Sequence, residues 1–291
     1  QTYGGVFRVL PWLALGGGYF ESSLFTDSVS FELTGRPRLP RTGEGHEYSL
    51  RFNFLDDRVN ATVTRFQTTS ENNSLGLSAG AQTELNALLP ANNRLLGTGD
   101  YRDQETAGWE IEAQTNLTRQ WTVRATYSMN RVQFGRFFPL VRPYLAAAQA
   151  TAKTQGLDPE DATAITQQLI DNTEGAVRAV RRETANITTR YSFIEDRFKG
   201  FAIGTSARYA MGRPRAALLS GGVVVLPATR TSSYILVNPF ASYRRKFFGH
   251  NVTAQLNVNN VLGLNSDQGN SYTWPRKTEP RQYVTTVTVE W

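Results

Sequence analysis

Polar and apolar residues alternate along most of this chain with a period of two, and the clearest run reaches the last residue. Tyr283, Thr285, Val287, Val289 and Trp291 share one face, and Gln282, Thr286, Thr288 and Glu290 fill the other, with Val284 the one apolar intruder. Alternation with a single apolar face marks a β-strand. Similar segments come in pairs joined by short turns. Glu105 to Thr115 pairs with Trp121 to Phe134 across Asn116–Gln120, and Glu44 to Phe54 turns at Leu55-Asp56-Asp57 into Arg58 to Ser70. Glu183 to Phe193 turns around Ile194–Arg197 into Phe198 to Met211. Ser232 to Arg245 turns at Lys246–Gly249 into His250 to Leu262, and Tyr3 to Val9 turns at Leu10-Pro11-Trp12 into Leu13 to Ser22. Ten paired strands and the terminal one make eleven.

These segments run to about 9–11 residues or more, the length needed to cross a bilayer at a tilt, whereas soluble strands centre on about 5–6. Within Trp121–Phe134 the face Trp121, Val123, Ala125, Tyr127 and Met129 opposes Thr122, Arg124, Thr126, Ser128 and Asn130. Burying Arg124 in a dry core would be costly, and a wet lumen hydrates it. Long polar stretches separate the pairs: Ser23–Gly43, Glu71–Gln104, Gly135–Arg182, Gly212–Thr231 and Gly263–Pro280. Short turns at one end and long loops at the other is the asymmetry of an outer-membrane barrel, with the long loops outside the cell. A compact soluble domain rarely carries several loops beyond about 12–15 residues. The pattern therefore predicts an all-β fold, a transmembrane antiparallel β-barrel wall, with short helices in one long loop.

That loop is Gly135–Arg182. Pro143–Thr154 is Ala-rich, and Asp158-Pro159-Glu160-Asp161 reads as an N-cap followed by Pro at the first helical position, opening a helix through Arg182. Its sparse apolar residues (Ile165, Leu169, Val177, Val180) predict packing on neighbouring loops. Trp12, Trp121, Tyr3 and Trp291 are placed near short-turn ends and Tyr127, Tyr209, Trp274 and Tyr101 toward long-loop ends, as two aromatic girdles require.

Composition agrees. Charged residues make up 19% of 291, below the roughly 25% of soluble domains, yet no run approaches the roughly 20 apolar residues of a membrane helix. The absence of Cys leaves no disulfide framework. The net charge of +6 is scattered, not gathered in the basic, aromatic-interleaved stripe of a nucleic-acid binder, and is read as lumen and loop charge. Gln1–Leu10 lacks the basic start, apolar run and small-residue site of a signal peptide, which favours reading the chain as a fragment.

Three stretches resemble one family, the TonB-dependent outer-membrane receptors. Arg41-Thr42-Gly43-Glu44-Gly45-His46-Glu47-Tyr48 followed by Leu55-Asp56-Asp57-Arg58-Val59 resembles the family's G-x-x-Y-E-x-G-x-K strand and DGR turn, shifted, with Ser49 and Arg51 where Gly and Lys are often seen. Leu256-Asn257-Val258-Asn259-Asn260-Val261-Leu262 is similar to the penultimate-strand L-x-V-x-N-L-F run. Pro280-Arg281-Gln282-Tyr283 is similar to the P-R-x-Y/F start of the final strand, with Trp291 in place of the usual Phe. The resemblance covers the whole chain. It implies a barrel of about 22 strands with a plug in its lumen, of which residues 1–291 supply the C-terminal half, the plug domain and N-terminal strands being absent. It implies that Tyr283, Val287, Val289 and Trp291 belong to a terminal signal read by the barrel assembly machinery, that the wall contacts outer-membrane lipid, and that the TonB complex acts through the missing plug. The implied function is active import of a scarce ligand, foremost a ferric siderophore because residues 41–58 look most like that branch, with carbohydrate or cobalamin import next.

Candidate chemistry is sparse. His46 and His250 are placed at opposite ends of the wall and cannot share a metal, so neither a metal site nor a cofactor is expected. His46 with Glu44 and Glu47 could seed a rim enzyme, but no nucleophile accompanies them, and Glu110 and Glu112 sit on a lumen face where carboxylates are solvated. No phosphate loop, Cys cluster or calcium loop appears, and the chain is read as no enzyme. Ligand contacts are expected from loop or lumen cations and aromatics: Arg36, Arg38, Arg102, Arg142, Arg213, Arg215, Tyr272 and Trp274. Arginines suit an anionic ferric chelate through charge-assisted bonds, and aromatics suit sugars or catecholates. The competing readings are a self-contained porin or barrel enzyme of about ten to twelve strands and a soluble β-sandwich adhesin, which detergent dependence would separate.

Overall fold

Eleven strands form one antiparallel sheet in which every strand hydrogen-bonds to its neighbour along the chain. They are β1 (Thr2–Leu10), β2 (Leu13–Leu24), β3 (Arg41–Phe54), β4 (Val59–Gly76), β5 (Gly99–Asn116), β6 (Trp121–Gly135), β7 (Glu183–Ser192), β8 (Phe201–Ala210), β13 (Tyr234–Phe247), β14 (His250–Asn259) and β15 (Gln282–Glu290). Between β8 and β13, β9 (Pro214–Arg215) pairs with β12 (Thr229–Arg230), and β10 (Leu218–Ser220) with β11 (Val223–Leu226), in a stretch read from sequence as loop. This is a computed structural model, and it describes all residues except 26–30, 177–180, 216–217, 221–222, 228, 268, 270–275 and 291. The sheet is open, with β1 and β15 as its edges.

Register aligns the alternating faces across all the hairpins. Ile111 stands between Val63 and Tyr127, and Ala125 between Ala113 and Ile187. One residue along, Glu112 stands between Thr62 and Thr126. Arg124 lies on that same polar face and donates to Gln114 Oε1 at 2.8 Å. Among the described residues nothing covers the apolar face: Ile111 is 40% exposed and Val287 64%. A continuous uncovered apolar surface of this extent requires a partner phase or protein.

Tyrosine and tryptophan bound that face. Toward the long connections Tyr3 pairs with Tyr19, Tyr48 lies one strand from Arg65 and Trp109 beyond it, and Tyr127 and Tyr209 flank Ala185. Toward the short turns stand Trp12 stacked on Phe54, Trp121 paired with Tyr191, and Phe201 beside Tyr243. Tyr3 therefore belongs to the opposite girdle from the one sequence suggested, because β1 runs toward its short turn and Tyr3 lies at its far end. Trp274 and Trp291 lie outside the described residues.

Three aromatics on the polar face each sit opposite a cross-strand glycine: Phe20 on Gly45, Phe66 on Gly108 and Phe240 on Gly204. The missing Cβ makes room for the ring, and the ring covers the bare backbone. A Cβ at Gly204 would strike the Thr189 carbonyl and the Phe240 ring. Gly204→Ala is expected to cost about 1–3 kcal/mol through overpacking, read as a lower unfolding midpoint in detergent, whereas Gly5→Ala, with open space at its Cβ, leaves the midpoint in place.

The short turns carry left-handed backbone. Phe248 and Gly249 (φ 48° and 89°) form the two-residue link from β13 to β14. Leu55, Asp56 and Asp57 are all at positive φ, and Asp57 is tied down by Asn53 and by Asn60 Nδ2, which donates to its carbonyl at 3.0 Å.

The hydrophobic core lies beyond the apolar band, at the long-connection end. Leu33, Leu77, Leu85, Leu95, Phe138 and Val141 bury one another there, joined by Leu145 and Ile170. Three helices supply much of it: α1 (Ala79–Leu88), α2 (Val141–Thr154) and α4 (Ala164–Ala176), with the single turn α3 (Pro159–Ala162) before α4. The helix expected from Asp158 through Arg182 is thus broken. Asp158 Oδ1 does cap α3, accepting from Glu160 N and Asp161 N, but Thr163 leaves helical geometry and its hydroxyl donates to the Pro159 carbonyl. Ile170, Thr163 and Thr166 are buried and Leu169 packs against the core as expected, while Ile165 is half exposed; Val177 and Val180 lie outside the described residues. α1 falls in a stretch read from sequence as polar loop, and β4 and β5 reach Gly76 and Gly99, well beyond the expected Ser70 and Glu105.

Candidate functional site

The helical cap is fastened to the ends of β4 and β5 by carboxylates distant in sequence from the groups they hold. Asp100, fully buried in the part of β5 beyond the upper girdle, accepts from Leu140 N at 3.1 Å and Val141 N at 2.8 Å, and from Tyr101 N at 2.7 Å. The Leu140 and Val141 amides open α2, whose N-cap Leu140 offers no side-chain acceptor, so Asp100 supplies the cap from outside. Burial pushes its carboxyl above the ordinary range despite the three amides that pull the other way. Glu84, on α1, does the same for α4, accepting from Ile165 N, Thr166 N and the Thr166 hydroxyl at 2.8, 2.8 and 2.6 Å.

A third tie joins residues 31–40 to the same base. Tyr101 is buried, not part of a girdle, and its hydroxyl donates to Glu32 Oε1 and accepts from Leu39 N, both at 2.7 Å. Burial and the Glu32 carboxylate push the phenol up to about 12. Leu33 N donates to the Gly99 carbonyl at 2.9 Å, and a Cβ at Gly97 or Gly99 would strike the Glu32 or Phe31 carbonyl, so this crossing needs glycine.

Around this base stand several of the sequence-selected arginines. Arg102 shares the polar face of β5 with Gln104 and Thr106, and its guanidinium lies 4.6 Å from the Phe134 ring centre. Its Nε is buried without a hydrogen-bond partner, and burial lowers its pKa. Arg38 donates to the Ser74 hydroxyl and, at 3.3 Å, to the Leu75 carbonyl. Arg142 projects from α2, its Nε donating to the Phe137 carbonyl at 3.0 Å. Arg36 is exposed in the turn closed by Glu32 N and its own carbonyl. Arg213 and Arg215 lie elsewhere, after β8: Arg213 N donates to the Thr231 hydroxyl, and Arg215 forms an ion pair with Asp267 at 2.5 Å. Arg215 and the Gly269 amide hold the Asp267 carboxyl below its ordinary range, the amide contributing most. Tyr272 and Trp274 lie outside the described residues. Arg136 was not selected, yet its Nε pairs with Asp103 at 2.7 Å beside Asn72; a lone cation after a strand gives no sign of such a partner. His46 and His250 are separated as expected, one opposite Tyr19 and the other opposite Phe247.

The family model described as TonB dependent receptor-like, beta-barrel matches residues 2–261. No curated protein matches the chain. Among solved structures, the ferripyoverdine receptor of the outer membrane of Pseudomonas aeruginosa superposes with a TM-score of 0.69 at 16% identity, over 98% of this chain and 32% of that one. The ferric-catecholate import receptor Fiu from E. coli K12 gives 0.63 at 16%, over 98% and 34%. The ferric preacinetobactin receptor BauA from Acinetobacter baumannii gives 0.62 at 12%, over 98% and 35%. The chain spans about a third of the length of these structures.

Proposed function

The chain belongs to the TonB-dependent receptor β-barrel family, a family of outer-membrane transport receptors and not of enzymes, and from that premise we propose that it forms the C-terminal part of the wall of a receptor importing a ferric siderophore with energy from the TonB complex. The apolar face is then the lipid face, the polar face the lumen, and the helical cap extracellular. The observation that carries the choice of ligand is Arg102, a guanidinium on the lumen face at the mouth, backed by Phe134, with a buried N–H lacking a protein partner. Such a group is complementary to an anionic chelate. The solved neighbours are named as receptors for ferripyoverdine, ferric catecholates and ferric preacinetobactin, which supports a ferric chelate over a sugar or cobalamin. Tyr283, Val287, Val289 and Trp291 keep their proposed part as the signal for the barrel assembly machinery.

The test is uptake of chelate-bound radioactive iron by iron-starved cells expressing the complete receptor. Uptake is expected only with an intact TonB complex, and Arg102→Gln is expected to weaken chelate binding about tenfold, the loss of one charge-assisted hydrogen bond. Uptake indifferent to the TonB complex would favour a passive porin.

A further inference from the structure

Six basic residues gather at one place away from the proposed ligand mouth. At the short-turn end of β7, β8 and β13 a hollow of about 660 Å³ at the rim is lined by Arg197, Lys199 and, on the apolar face, Arg245, while Arg190, Arg244 and Lys246 reach it from the polar face. Arg244 is paired with Glu290 at 2.6 Å, and two acids, Glu195 and Asp196, lie in the adjoining turn. Other short-turn ends hold fewer cations: the hollow beside Trp12 is lined by Arg8 and Arg51, and Asn116–Gln120 holds Arg119 alone. The concentration is therefore local and not a general feature of the rim.

Aromatic rings share the hollow and set its depth. Phe193, Phe201 and Tyr243 line it, and Phe201 and Tyr243 face each other on the lipid side of the wall. Arg245 follows the same face, opposite Val252, with its guanidinium 5.8 Å from the Phe247 ring centre. Arg197 lies 4.8 Å from the Phe198 ring centre, and Phe198 packs on Phe193. Phe248, at the tip of the neighbouring turn, is 100% exposed. Guanidiniums stacked on rings of the lower girdle stand at the level of lipid headgroups.

We propose that this hollow seats the headgroup of an anionic phospholipid of the periplasmic leaflet, its phosphate bridged by Arg197 and Arg245 and its first acyl carbons lying on Phe198, Phe201 and Phe247. A soluble acidic peptide would satisfy the cations but leave these exposed rings in water, whereas an amphiphile satisfies both. Basic pockets at a membrane interface select anionic headgroups in this way. The site rests on membrane placement and not on the ligand imported above.

The experiment is native mass spectrometry of the detergent-purified receptor, expressed from its complete coding sequence, titrated with dioleoylphosphatidylglycerol or dioleoylphosphatidylcholine. The wild type is expected to retain phosphatidylglycerol preferentially. Arg197→Gln with Arg245→Gln is expected to abolish most of that preference, at roughly a factor of five for each cation, while Arg119→Gln keeps it. Equal retention of the two lipids by the wild type would overturn the site, as would an undiminished preference in the double variant. Should the double variant fail to fold, judged by its mobility before and after heating, the wild-type lipid comparison and competition by inorganic phosphate still decide: displacement of the lipid by millimolar phosphate would reduce the site to one for free anions.

Discussion

Ala125→Arg destabilises the membrane-inserted receptor by about 2–4 kcal/mol, while Thr126→Arg, one residue along the same strand, stays within about 0.5 kcal/mol of wild type. Both variants introduce the same side chain into β6. Position 125 lies between Ala113 and Ile187 on the face that none of the described residues covers, midway between Trp121 and Met129. A guanidinium there must enter hydrocarbon or drag water and headgroups toward it. Position 126 lies between Glu112 and Asn186, where the charge meets a carboxylate and lumen water. Urea unfolding of receptor folded into lipid vesicles reads the difference directly. Equal costs, or a larger cost at 126, would mean that the faces are reversed or that the sheet packs against protein, as an adhesin sandwich would.

The second large effect concerns the helical cap. Asp100→Ala leaves the Leu140, Val141 and Tyr101 amides without their acceptor in a site closed to water. Each buried unsatisfied group costs about 1–3 kcal/mol, so α2 is expected to detach from the base formed by β4 and β5. Hydrogen exchange across residues 140–152 should rise by orders of magnitude, and the affinity for the ferric chelate should fall more than tenfold, with strand exchange in β6 and β14 unchanged. Asp100→Asn keeps one acceptor oxygen but turns an amino group toward an N–H, so an intermediate loss is expected. Unchanged exchange in α2 after Asp100→Ala would show that the apolar cluster alone holds the cap.

The wall was legible in the sequence because a period of two records which face each residue takes, and the turns between hairpins are short enough to fix the pairing. Ile111, Arg124, Glu110 and Glu112 all stand where alternation puts them. The cap was not legible, for a physical reason. Its helices are held by Asp100 and Glu84, which lie 40 or more residues from the helix amides they accept from, and a lone acidic residue gives no sign of so distant a partner. The same long reach carries β4 and β5 past the membrane, where polar residues on both faces remove the alternation that marks a strand. Thr163 breaks the expected helix because its hydroxyl and the Glu84 carboxylate offer the backbone a better arrangement than continued helix. Tyr3 was misplaced by the simplest cause, the direction of β1.

The most direct test of the account is a binding titration of the purified receptor, followed by tryptophan fluorescence, with a ferric catecholate or ferripyoverdine, against the iron-free chelates, a maltooligosaccharide and cobalamin. Saturable binding of a ferric chelate, weakened by Arg102→Gln and by Asp100→Ala, is the expected result. Saturable binding of the sugar or cobalamin, with none of the chelates held, would contradict it and leave the chain as the wall of a receptor for another cargo.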